Sequence, residues 1–234
     1  VSDCIKHGGV TYRTLVSGPH SEYIVFVDGE DAMAEKMSLV LAVALNSIKG
    51  YHDDKYDRVS FIKNLLLDNI LPGDIYVKSR ELHLATDVER VVFLIRILSG
   101  SEASPYDIIL NLFPNSGSDY IISTGEKEIV LVRELKPGTD KSETEKTAKM
   151  IADTLEAESF TKVSIGIGSA ADNMKDISRS YREAQAALEV GRVFDTDKSI
   201  VSYENLGIGR LIYQLPTTLC EMFLNEVFQK GSIE

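Results

Sequence analysis

The run Val91-Val92-Phe93-Leu94-Ile95, inside an apolar stretch over residues 88–98, constrains this chain more than any other feature. Consecutive apolar residues without polar alternation describe a strand buried on both faces, which needs cover above and below it. The segments that follow supply that cover. Residues 105–113 read as a helix, residues 120–123 and 128–134 as strands around the turn Thr124-Gly125-Glu126-Lys127, and residues 139–158 as a helix with Asp140 and Glu143 spaced as a capping-box variant. Residues 163–168 form a further strand. The helix over 173–194 places Met174, Ile177, Tyr181, Ala184 and Leu188 on one face, with Asn173 and Asp176 at its start. This order predicts an α/β (α+β) fold with one mixed sheet and flanking helices.

The first third has a different pattern. Residues 10–16 and 23–27 read as a β-hairpin joined by Ser17-Gly18-Pro19-His20-Ser21. From Asp31, Met33, Met37, Val40, Ala44, Ile48 and Tyr51 recur every three or four residues, as on one face of a helix. Gly50 and the polar stretch His52-Asp53-Asp54-Lys55 predict a kink or register slip before the stripe resumes at Val59, Ile62, Leu65, Leu66, Asn69 and Ile70. Leu71-Pro72-Gly73 is expected to break it, and Asp74 to cap a short helix over 74–84.

Charge and composition narrow the class of function. A net charge of −11 opposes tight binding to a phosphate backbone, which works by replacing counterions with Lys and Arg. No apolar run approaches the length of a membrane span, and only Cys4 and Cys220 are available for a bridge, so a soluble, cytoplasmic protein is expected. Gly166-x-Gly168 lacks the third glycine of a dinucleotide fingerprint and reads as close packing after a strand. Cys4 and His7 have a metal-like spacing without a second pair, and His20, His52 and His83 are scattered. No P-loop or nucleophile elbow is present. No catalytic residue, metal or cofactor is expected.

Val163-Ser164-Ile165-Gly166-Ile167-Gly168, followed by Tyr181-Arg182-Glu183-Ala184-Gln185-Ala186-Ala187-Leu188, resembles the last strand and helix of the GGDEF domains of diguanylate cyclases. Three segments, Asn69-Ile70-Leu71-Pro72-Gly73-Asp74-Ile75, the Tyr181 helix, and Ser202-Tyr203-Glu204-Asn205-Leu206-Gly207, resemble the GGDEF-like domain of carbohydrate diacid regulators, the CdaR/PucR-type transcription factors. In an active cyclase the signature hairpin offers two glycines to the nucleotide and then an acid to divalent metal. The resemblance places that signature on Gly125, Glu126, Lys127 and Glu128, so Glu126 replaces a glycine and Lys127 the metal acid. The second metal carboxylate would fall in Phe93-Leu94-Ile95-Arg96-Ile97, which has none. The Arg and Asp of the family's product-inhibition site would fall on Ser116 and Asp119, so the arginine is missing too. Losing both metal ligands should remove nearly all phosphoryl transfer, and the resemblance therefore implies a non-catalytic domain.

The implied organisation has four parts. Residues 1–50 are the closing part of a GAF- or PAS-like sensor, 51–86 connector helices, 87–215 the GGDEF-like domain, and 216–234 a linker helix toward a helix-turn-helix outside this chain. DNA would be bound only through that further module. Tyr12, Arg13 and His20 are candidate contacts for a small-molecule effector such as a sugar diacid, because Arg binds carboxylates bidentately; surface positions are the commoner alternative. Val59, Ile62, Leu66 and Ile70 have two readings: burial within their own domain, or the seam of a homodimer. Two rival functions stay open, a cyclic-nucleotide enzyme or receptor and a pure dimerisation scaffold.

Overall fold

The computed structural model describes residues 4–15, 23–100, 104–114, 117–194 and 199–227, with backbone alone for 51–55 and 194. Contacts divide the chain into two units, residues 1–60 and 61–234.

The first unit is an antiparallel meander, β1 (Cys4–His7), β2 (Val10–Leu15) and β3 (Tyr23–Asp28), followed by the long helix α1 (Ala32–Leu66) as far as Ser60, its last residues belonging to the second unit. The expected hairpin is β2 and β3, paired from Val10↔Asp28 to Leu15↔Tyr23. β1 was not anticipated. Asp31 Oδ1 accepts from the Ala34 amide at 2.8 Å and caps α1. In the first unit the buried face of α1 is Ala34, Ser38 and Ala42, four residues apart, and Arg13 Nε donates to Ser38 Oγ at 3.2 Å. The expected apolar stripe lies elsewhere on the helix: Met37 is 50% and Val40 67% exposed. Small side chains let a helix approach a sheet closely, so it is the small-residue face that packs here.

α1 continues through Gly50, because one glycine costs only about 1 kcal/mol and the flanking turns carry the helix through. The helix ends at Leu66, before Asp68 takes a left-handed conformation with φ 56°. Pro72 then opens α2 (Pro72–Glu81) instead of breaking a helix. Its fixed φ suits the first helical position, Leu71 is the cap residue, and Asp74 stands in the first turn, where its charge favours the helix dipole without capping it.

The second unit holds a five-stranded sheet in the order β5-β6-β4-β7-β8, with β4 (Arg90–Ser99), β5 (Tyr120–Gly125), β6 (Glu128–Glu134), β7 (Lys162–Ile167) and β8 (Ile200–Ser202). β4 is central, antiparallel to both neighbours and buried from Arg90 to Ile95, as its apolar run predicts. β8 pairs parallel with β7 and completes a mixed sheet. One face, carrying Val91, Phe93, Ile95, Leu131 and Ile165, forms the core with α3 (Pro105–Leu112) and α4 (Lys141–Ser159), represented by Ile109, Ala148, Ile151 and Leu155. Asp140 caps α4 by accepting from the Glu143 amide at 2.9 Å.

The opposite face is covered by α5 (Ile177–Phe194), which follows a 3-10 turn at Met174–Asp176. Gly166 and Gly168 alternate with Ile165 and Ile167, so they face α5. A Cβ on Gly166 would lie 2.2 Å from the Ala184 carbonyl oxygen, and one on Gly168 2.1 Å from that of Ser180. The glycine pair is thus what lets backbone meet backbone. After β8 come a 3-10 turn at Tyr203–Asn205, α6 (Gly209–Gln214) and α7 (Thr217–Val227). Among the described residues no helix is long and apolar enough to cross a membrane.

The residues expected to form a connector, 51–86, fall in both units. Phe61, Ile62, Leu65, Leu66, Ile75 and Leu84 are buried, and the unit boundary falls after Ser60. Ile62 and Leu66 are 0% and 2% exposed within the single chain, while Val59 and Ile70 are half-buried. Of the two readings of these four residues, burial within the chain describes Ile62 and Leu66, whose side chains are removed from water without a second copy.

Candidate functional site

The signature hairpin is the β5–β6 connection, with Glu126 and Lys127 as a two-residue tip. Gly125 has no positive φ and open space beyond its Cα, so nothing in the fold requires glycine there. Glu126 and Lys127 are both exposed, and the tip is held to the sheet by the Ile97 amide donating to the Lys127 carbonyl at 2.8 Å. That bond brings the hairpin against the second half of β4. In the ladder Arg96 stands opposite Glu128.

Arg96 organises this corner. Its Nε donates to Glu128 Oε1 at 3.0 Å and its Nη1 to Glu189 Oε1 at 2.9 Å, so one guanidinium ties the hairpin strand to α5. Burial pulls the Arg96 guanidinium down, but the hydrogen bonds to Glu189 and Glu128 outweigh it and hold the group above its ordinary range. Tyr181, on the buried face of α5, lies close enough to feel the same charges. Burial pushes its phenol up, with Glu128 and Arg96 acting in opposite senses.

A divalent cation needs several hard oxygen donors with net negative charge. The corner offers two carboxylates, Glu128 and Glu189, both already paired to the Arg96 guanidinium, while Glu126 and Lys127 are exposed at the hairpin tip. This donor set does not fit a metal. Among the described residues no three His, Cys, Asp or Glu side chains are grouped as metal ligands.

The other candidates scatter. Tyr12 and Arg13 are adjacent on β2 and so point to opposite faces, and Arg13 is 5% exposed with Ser38 as partner. They do not converge on one ligand. His20 lies outside the described residues. Cys4 and His7, three apart on a strand, also face opposite ways and cannot chelate together. Ser116 is outside the described residues, while Asp119 accepts from the Glu134 amide at 3.3 Å and closes the open end of the β5–β6 ladder. Burial pushes the Asp119 carboxyl up, against the opposing charge of Arg133.

Two features were missed in the sequence. The Arg96–Glu128–Glu189 bridge joins residues 32 and 93 positions apart and leaves no local spacing signal. A second polar cluster follows β7, where Ser169 bonds Glu183 and Arg179 donates to the Ala170 carbonyl at 3.2 Å. Its one local trace is the i,i+4 pair Arg179 and Glu183, and it fastens the β7–α5 loop.

A family profile described as a GGDEF-like domain matches residues 69–190, just over half of the chain. No curated protein matches the chain by sequence.

Proposed function

The chain belongs to the GGDEF-like domain family, and from that premise we propose that it works as a catalytically silent, cyclase-like regulatory domain. The observation that carries this reading is the Arg96 bridge. Where phosphoryl transfer would need carboxylates to hold a cation, a guanidinium stands between Glu128 and Glu189. The fixed positive charge neutralises one carboxylate on each side and uses the corner to join strand and helix. The test is turnover: incubation with GTP and magnesium or manganese, followed by chromatography, should give no cyclic dinucleotide. Metal-dependent product would favour the enzyme reading.

The finer assignment is to the sensor and dimerisation region of a transcription regulator of carbohydrate diacid utilisation, CdaR/PucR type. It is supported by the resemblance of Asn69–Ile75, the Tyr181 helix and Ser202–Gly207 to that family. Self-association is assigned to the exposed stripe Met33, Met37, Val40 and Ile48 of α1, since Ile62 and Leu66 are taken up internally. Replacing Met37 and Val40 by Glu should abolish dimers in light scattering while circular dichroism is kept. A monomeric parent protein at high concentration would overturn it.

A further inference from the structure

At the β8 edge of the sheet, across from the signature hairpin at the β5–β6 edge, the second unit has an open cavity of about 710 Å³. That volume lies in the range of small-molecule sites. Its apolar wall includes Val190, Ile200, Val201, Leu206 and Ile208. Two polar ties hold the turn after β8 against α4 and keep the space formed: Lys141 Nζ to Glu204 Oε2 at 2.7 Å, and Asn205 Nδ2 to Glu145 Oε1 at 2.9 Å.

The charges on the α4 side are unequal. Lys146 and Lys149, one helical turn apart, both line the cavity, and neither has an ion pair or hydrogen bond among the described residues. Glu145 is the one acid on this wall, and its Oε1 is taken by Asn205. Two unneutralised ammonium groups beside an apolar pocket are notable in a chain of net charge −11. They complement an anion whose body is apolar.

We propose that this cavity binds a small organic monocarboxylate, its carboxylate between Lys146 and Lys149 and its aliphatic or aromatic body against Val201, Leu206 and Ile208. A polyhydroxylated diacid is disfavoured where its hydroxyls would lie against Val201, Leu206 and Ile208, which offer them no side-chain partner. The site is independent of the silent hairpin and of the diacid reading, and it stands or falls separately from both.

The probe is 4-phenylbutyrate, titrated into ¹⁵N-labelled protein and followed by amide shifts and calorimetry. Saturable binding is expected, with shifts clustered at residues 142–149 and 200–209. The neutral analogue 4-phenylbutan-1-ol and the exposed double variant Lys146→Gln/Lys149→Gln should each weaken binding at least tenfold, the variant keeping its circular dichroism, and glucarate should not displace the probe. The proposal is overturned by no saturation up to about 10 mM, by shifts centred elsewhere, by equal binding of the alcohol, or by undiminished binding to the folded double variant.

Discussion

Replacing Arg96 with Gln removes the charge and shortens the side chain by two bonds, so both arms of the bridge are lost while the aliphatic stem is kept. The two contacts are short, 2.9 and 3.0 Å, but the side chains involved are 29–38% exposed, so solvent screens them. Exposed pairs contribute about 0.2–1 kcal/mol each, and these partly buried, hydrogen-bonded ones belong at the upper end. The variant should lose about 1–2 kcal/mol, including the repulsion left between Glu128 and Glu189. Urea unfolding at low salt measures this. In about 1 M NaCl, where screening acts within about 3 Å, the loss should fall by at least half. Substituting all three residues with Gln should restore the part of the loss that comes from this repulsion, because no uncompensated charge remains. A neutral effect at low salt, or a loss that salt leaves unchanged, would refute the bridge as an electrostatic tie.

Other substitutions test the packing around it. Gly168→Ala would place a methyl 2.1 Å from the Ser180 carbonyl oxygen, so α5 must move by about 1 Å, and a loss of about 1–3 kcal/mol or more is expected in urea unfolding. An unchanged midpoint would contradict the close approach. Ile62→Glu buries a charge in the second unit and should unfold it at several kcal/mol, seen by circular dichroism at every protein concentration. A well-folded variant would argue for an exposed seam. The Asp119 carboxyl is raised by burial, so its contribution to stability is fully present below the ordinary carboxylate range and is lost as pH rises through its raised value. Asp119→Asn should therefore be at least as stable as the parent near pH 7, with the difference vanishing in acid; the opposite pH trend would remove burial as the dominant cause.

What could be read from the sequence was local or two-sided. Residues 91–95 announce a central strand because both faces are apolar, Asp140 and Glu143 mark a helix start, and Gly166 with Gly168 marks close packing. β8 escaped notice because three residues are too few to show a pattern. The face of α1 was misplaced because Met33, Met37 and Val40 outweigh Ala34, Ser38 and Ala42 in any hydrophobic count, while packing selects the smaller face. The lack of an acid at position 127 and over residues 93–97 is legible residue by residue. The partner that Arg96 finds in Glu189 was not, since it depends on how α5 crosses β4.

The central claim, that this GGDEF-like domain carries no nucleotide chemistry, is tested most directly by calorimetric titration of the protein with GTP in the presence and absence of magnesium. The account predicts no saturable heat at micromolar GTP in either condition, because the hairpin carries Lys127 where the resemblance puts a metal acid, residues 93–97 carry no acid, and Glu128 is already paired to Arg96. A saturable, magnesium-dependent heat would contradict it.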